Sequence, residues 1–290
     1  MTLASLFLVV LASFIHAGWN LLAKRAAPVG PVFVFVYSLI ACIAYGPWVV
    51  YLLAQGRIGW TWRGIAFVLL SGLIHLGYSL CLQRGYRVAD LSVVYPVARG
   101  TGPMLSTIGA FLILGEAPTA SGLIGLVLVV IGILLIATQG RLATFTRPSG
   151  QAGIRWGGAT GGLIAAYTVV DAYAVKVLGI APVVLDWFSN LLRVGLLLPL
   201  VLAEPRRAMA LMRGYWWVGL GVGLLSPLPY ILVLTALSAG APLSLVAPMR
   251  EMSMMLGALM GMLILREAVG PWRLVGCGVL IGGVILLSAA

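Results

Sequence analysis

DLSVVYPVARGTGPMLSTIGAFLILGEAPTASGLIGLVLVVIGILLI, residues 90–136, is echoed roughly half a chain later by PLSLVAPMREMSMMLGALMGMLILREAVGPWRLVGCGVLIGGVILL, residues 242–287. Leu91, Ser92 and Pro96 recur as Leu243, Ser244 and Pro248. After a one-residue slip, Glu116, Gly125 and Gly132 recur as Glu267, Gly276 and Gly283. Internal duplication is therefore the first property to explain, and a duplicated apolar helix pair points towards membrane transport.

Composition sets the class. The chain is 62% hydrophobic and 9% charged, with a mean hydropathy of +1.11, whereas soluble domains carry about a quarter charged residues. The 18 Lys and Arg against 7 Asp and Glu sit mostly in short gaps between apolar runs, which fits membrane topology better than nucleic-acid binding. Cys42, Cys81 and Cys277 stand singly in apolar runs, so neither a zinc site nor a disulfide framework is indicated and no cofactor is expected. The first apolar run has no Lys or Arg before it and continues into Trp19 and Asn20, which reads as a membrane span rather than a signal peptide.

A window of about 20 residues, the length that crosses a hydrocarbon core, finds ten candidate spans: 2–23, 31–53, 63–83, 91–114, 119–137, 156–177, 182–203, 215–236, 242–265 and 272–289. None shows barrel-like alternation, so all are read as helices. The polar gap TQGRLATFTRPSGQAGIR, from Thr138 to Arg155, divides five spans from five. The expected fold is thus an all-α membrane protein of ten transmembrane helices: a first five-helix repeat at 1–140, a linker at 141–155 and a second repeat at 156–290. Because five is odd, the second copy starts from the opposite side of the membrane, making the repeat inverted. Lys24, Arg25, Arg84, Arg87, Arg141, Arg147, Arg155, Arg206, Arg207, Arg213, Arg266 and Arg273 fall on one side, and Arg57, Arg63 and Lys176 on the other. The positive-inside rule makes the first side cytoplasmic and places both termini outside.

Three arginines remain within spans: Arg99, Arg193 and Arg250. A mid-membrane Arg costs about 2.5–3.5 kcal/mol on insertion scales, so such residues face a protein interior or a watery cavity. Helical spacing groups the polar residues into faces: His16, Trp19 and Asn20; His75, Tyr78 and Ser79; Tyr95 and Arg99; Tyr167 and Asp171; Asp186, Asn190 and Arg193. One stripe per helix implies one shared cavity. Pro96 and Pro248 are expected to kink their helices beside Arg99 and Arg250, and Pro227 and Pro229 with Tyr230 to interrupt the eighth span. The fifth and tenth spans carry glycines instead of charges and are expected to pack closely, within the chain or against another subunit.

Structural readings accompany these. An intramembrane Arg also serves to pair with a carboxylate for assembly. Arg250 and Glu251 are adjacent and expected to point apart, and Asp186 and Lys176 fit positions near the membrane surface. Glu116 and Glu267 fall at turns, where helix capping or an ion pair is the favoured role.

The residues resemble the ten-helix EamA-type members of the drug/metabolite transporter superfamily: Trp19-Asn20 followed by Lys24, the Pro96 helix running to LILGE at 112–116, the glycine-spaced fifth helix, and the second copy with Pro248, LILRE and Gly276/Gly283. The sixth helix departs, with Asp171 and Lys176 where the first copy has Trp19 and Lys24. The resemblance implies inverted five-helix units around a cavity lined mainly by the first, third, fourth, sixth, eighth and ninth helices. It also implies transport of small polar metabolites, often amino acid export.

The expected function is a secondary transporter, not an enzyme, that moves an amino acid or another carboxylate- or phosphate-bearing compound by alternating access, as an exporter in a bacterial inner membrane. The alternatives are an exchanger of organic phosphates or nucleotide sugars, a small-multidrug pump, and more remotely an intramembrane enzyme on lipid-linked substrates. Arg99, Arg250, Glu251, Tyr95, His75, Tyr78, Trp19, Asn20, Asp171 and Tyr230 are the candidate substrate residues. His16, His75, Asp171 and Glu251 are the candidates for carrying a coupled proton. The partners expected are a small-molecule substrate, the lipid bilayer, and protons or a counter-substrate. Nucleic acid is not expected, and the assembly is expected to be a monomer or weak homo-oligomer. No GxxxxGK[ST] element is present for ATP.

Overall fold

The computed structural model describes residues 1–56, 61–88, 91–140, 148–265 and 270–290. Thirteen α-helices and no strand occur among them. They are α1 (Leu3–Arg25), α2 (Pro31–Ala54), α3 (Trp62–Val88), α4 (Leu91–Ile113), α5 (Ala120–Thr138), α6 (Pro148–Lys176), α7 (Pro182–Ala203), α8 (Pro205–Met212), α9 (Trp216–Leu225), α10 (Pro227–Ser238), α11 (Leu243–Met249), α12 (Met252–Leu265) and α13 (Pro271–Ser288). Proline at the first turn starts α2, α7, α8, α10 and α13, where its missing N–H is no loss and its fixed φ suits the helix. Thr119 caps α5, its Oγ1 accepting the Gly122 N–H at 3.1 Å. Gln139 then closes the same helix in the left-handed conformation.

Among the described residues, seven stretches are long and apolar enough to cross a membrane: Leu3–Ala23, Pro31–Ala54, Trp62–Leu82, Ala120–Thr138, Pro182–Ala203, Trp216–Ser238 and Pro271–Ser288. Large apolar side chains face outward, among them Phe7, Ile43, Leu112, Ile124 and Trp217, as a lipid-facing surface requires. The spans expected at 91–114, 156–177 and 242–265 are helical but fall short of that length or apolarity. They are the ones carrying Arg99, Asp171, and Arg250 with Glu251. In α4 and α6 the polar residues lower the hydropathy by which a span is recognised, and the third stretch is split into α11 and α12, each too short to cross a membrane alone.

The described residues also sharpen the helix boundaries. α6 begins at Pro148, so the second half of the stretch expected as linker is already helix; residues 141–147 lie outside the described residues. Glu267, Arg57 and Arg266 also lie outside them. α4 remains one helix through Pro96 and Pro103. Beyond Pro248, by contrast, the helix is interrupted, and the ladder tightens to i→i+3 bonds. The Glu251 N–H donates to the Pro248 carbonyl at 3.0 Å, and the Met254 N–H to that of Glu251 at 2.9 Å. Pro227 opens α10 directly after the Ser226 bend that ends α9.

α5 and α13 pack against each other through Gly125, Gly132, Gly276 and Gly283, whereas Gly278 and Gly282 face open space. A Cβ built on Gly125 would lie 2.9 Å from the Gly283 carbonyl oxygen, and one on Gly132 2.9 Å from that of Gly276. The other close pairings are α4 with α6, α3 with α6, α2 with α7 and α1 with α10, which enclose the polar stripes.

Candidate functional site

A cavity of about 310 Å³ collects side chains from both halves of the chain. α1 contributes His16, Trp19 and Asn20; α2 Tyr37; α3 His75 and Tyr78; α4 Arg99; and α6 Tyr167. α7 supplies Asp186, Ser189, Asn190 and Arg193, the α9–α10 break Ser226, Pro227 and Tyr230, and the end of α11 Arg250. All three intraspan arginines therefore meet at one hollow. Helical periodicity produces this convergence: each helix turns one narrow polar stripe inward and gives the rest of its circumference to apolar neighbours or lipid.

The arginines are held differently. The Arg99 Nη1 lies 3.2 Å from Glu251 Oε2 and 3.4 Å from Oε1, its Nη2 lies 3.4 Å from His16 Nε2, and its guanidinium sits 5.5 Å from the Tyr95 ring centroid. Arg250 Nε is 3.8 Å from Glu251 Oε1, a looser contact. Arg193 makes no hydrogen bond or ion pair among the described residues, and its Nε is buried without an acceptor. A carboxylate shared by two guanidiniums offsets part of their desolvation cost, and the cavity remains cationic.

One wall is aromatic. The His75 ring stacks on Tyr167 at 4.0 Å and meets Tyr230 edge-on at 5.6 Å, while Tyr78 and Tyr230 both approach Tyr167 edge-on. His75 Nδ1 donates to the Ser71 carbonyl at 2.9 Å, which fixes the ring one turn along its own helix. His16 packs edge-on against Trp19 at 5.1 Å, and Asn20 Nδ2 donates to the His16 carbonyl at 2.8 Å.

Several expectations are corrected here. Glu251 and Asp171 are both 0% exposed and do not line the cavity. Glu251 lies behind it as the partner of Arg99, and Asp171 accepts a hydrogen bond from the Tyr230 hydroxyl. Tyr95 likewise supports Arg99 instead of facing the hollow. Arg250 and Glu251 do not point wholly apart, because the helix ends between Pro248 and Met252 and lets their side chains approach. Asp186 is a lining residue, where its Oδ2 accepts from Asn190 Nδ2 at 3.0 Å. The cavity also uses α2 and α7 beyond the helices the resemblance named. Tyr37 and Ser189 were not singled out in the sequence; Tyr37 lies one turn from Phe33 in a run of aromatics, where burial and lining look alike.

A second polar cluster lies away from the cavity. Glu116, in the turn after α4, accepts the backbone N–H groups of Leu243 and Ser244 at 2.6 and 2.9 Å and the Ser244 hydroxyl at 2.7 Å. It also accepts from Lys176 Nζ at 3.0 Å, and Lys176 donates in addition to the Ala241 carbonyl. Glu116 thus caps a helix, but that helix is α11, more than a hundred residues away. Burial pushes its carboxyl up, yet the bonds from Ser244, Leu243 and Lys176 outweigh this and hold it below the ordinary value of 4.5.

Seven membrane-length apolar stretches among the described residues, packed around a polar cavity, define the class of a multi-pass membrane protein. Residues 3–138 match the EamA-like transporter family, part of the drug/metabolite transporter superfamily. No curated protein matches the chain. A solved structure, described only as a crystal structure of a protein, superimposes with a TM-score of 0.75 over 100% of this chain and 98% of that one at 14% identity. That likeness concerns the fold alone.

Proposed function

We propose that this protein is a ten-span secondary transporter of the EamA-like family, built of two inverted five-helix units, 1–140 and 156–290. It exports a small carboxylate- or phosphate-bearing metabolite, such as an amino acid, by alternating access. The observation that carries the substrate class is the convergence of Arg99, Arg193 and Arg250 on one cavity whose sole acidic lining residue among those described is Asp186. Guanidinium groups recognise carboxylate and phosphate through paired N–H donors, and a lipophilic cation has little to gain there. The volume of about 310 Å³ stands at the lower end of small-molecule sites, about 300–1,000 Å³, which favours a single small acid over a nucleotide sugar.

The inverted repeat draws support from α5 and α13. The repeat equates Gly125 with Gly276 and Gly132 with Gly283, yet the close contacts run Gly125 to Gly283 and Gly132 to Gly276. Flanking contacts exchange in the same way: Gly125 meets Leu287 where Gly276 meets Ile136, and Gly132 meets Leu280 where Gly283 meets Val129. Reciprocal exchange of partners is what a two-fold axis between two equivalent elements generates. The membrane is read as a bacterial inner membrane, and the distribution of loop cations supports an orientation with both termini outside.

The test is calorimetric binding of L-phenylalanine, L-glutamate, 2-aminoethylphosphonate, phosphoenolpyruvate and tetraphenylphosphonium to purified protein, with Arg250→Ala alongside. Binding of at least one acid, weakened by that substitution, is expected. Binding of tetraphenylphosphonium and none of the acids overturns the reading.

A further inference from the structure

The three cavity arginines are not equivalent in their partners. Arg99 is already engaged by Glu251, His16 and the Tyr95 face, and Arg250 shares the same Glu251. Those two guanidiniums form with Glu251 a fixed cluster spanning the two halves. Arg193, on α7, has five N–H donors and no acceptor for any of them among the described residues, its Nε being buried. It shares one face of α7 with Asp186, whose carboxylate is near enough to feel its charge but makes no direct bond to it, and with Asn190, which bonds that carboxylate. A half-buried guanidinium whose Nε is sheltered without an acceptor carries a cost that an arriving oxyanion reduces, whereas a guanidinium already paired gains less from the same anion.

We infer that Arg193 is the primary anion receptor, taking the carboxylate or other oxyanion of the substrate, while Arg99 and Arg250 hold the cavity's shape and field through Glu251. This rests on the proposed transport of an anionic metabolite and adds to it a specificity-determining residue on the seventh span. Neither the repeated motif nor the helices implied by the family resemblance point to that position. The receptor has no counterpart in the repeat's paired prolines, so it would hold the substrate at a point of local asymmetry.

The experiment measures binding of the same four acids to wild type, Arg193→Gln, Arg193→Lys and, as a surface control, Arg207→Gln. Each acid is accompanied by a neutral amide or ester analogue, and each protein's thermal unfolding is recorded in detergent. Arg193→Gln is expected to weaken the bound acid about 100-fold and bring it to parity with its neutral analogue, as loss of a desolvated charge partner does. Arg193→Lys retains the charge without the planar fork and should lose about tenfold. Arg207→Gln should match wild type. Arg193→Gln should unfold close to wild type, because it breaks no hydrogen bond and Asp186, which loses a nearby opposite charge, keeps Asn190 as donor. Normal acid binding by Arg193→Gln, or marked destabilisation by it, overturns the inference while leaving the transport proposal standing. Failure of wild type to bind any of the acids overturns both.

Discussion

Replacing Glu116 by alanine removes the acceptor of four hydrogen bonds that fasten the turn after α4 to the start of α11 and to Lys176. Its side chain is 11% exposed and that of Lys176 21%, so the partners are screened but not fully solvated. Loss of a helix cap costs about 0.5–2 kcal/mol, and a hydrogen bond to a charged group contributes about 1.5–3 kcal/mol. Lys176 keeps the Ala241 carbonyl, and water reaches part of the vacated space. A net loss of about 3 kcal/mol is therefore expected for Glu116→Ala at pH 7, or about 6 °C in Tm for a chain of this size. The carboxyl is held below 4.5 in the folded protein. A depressed pKa gives stability that is complete above the unfolded value and disappears as pH falls through the folded one. The gap between wild type and variant should accordingly stay constant from pH 8 to 5.5, narrow below the ordinary value, and nearly close once the folded carboxyl is protonated. Thermal unfolding in detergent across this range is the assay. A Tm change under about 1 °C at pH 7, or a gap as wide at the lowest pH as at neutrality, would refute the reasoning.

Gly132→Ala and Gly283→Ala place a Cβ 2.9 Å and 2.8 Å from backbone atoms of the opposite helix. Overpacking costs about 1–3 kcal/mol, and the two variants should lose closely similar Tm because the repeat makes these positions equivalent; unequal losses count against the two-fold relation. Arg99→Ala leaves Glu251 buried with only the looser Arg250 contact and is expected to destabilise by about 3–5 kcal/mol. Arg99→Ala combined with Glu251→Gln should recover much of that in the same unfolding assay, and additive losses argue against the pairing. Single cysteines replacing Arg206 and Gly56 in otherwise cysteine-free protein should label from the inside and the outside of intact cells respectively; labelling from the same side contradicts the topology.

The sequence made the helices and the shared cavity legible because insertion into lipid leaves few ways to hide a charge: subtracting loop cations isolates Arg99, Arg193 and Arg250 without any structure. Which residue pairs with which was not legible. Glu251 reads as a substrate ligand by its position, but the partner that removes it from the cavity, Arg99, is more than a hundred residues distant. Asp171 is withdrawn in the same way by the Tyr230 hydroxyl from another helix. Pro96 and Pro248 look identical in the repeat, yet only the second precedes a helix break, since proline removes a donor and neighbouring packing decides whether the axis breaks. The glycine stripes of α5 and α13 announced close packing; that the partner was the other stripe, rather than a second subunit, required the fold.

Counterflow most directly tests whether the arginine cavity carries acids across a membrane. Proteoliposomes loaded with an unlabelled acid that binds the purified protein are diluted into a trace of the same acid in labelled form. Transient accumulation of label above equilibrium is predicted, absent from protein-free vesicles and strongly reduced by Arg250→Ala. Flux of tetraphenylphosphonium with no counterflow of any bound acid would contradict the account.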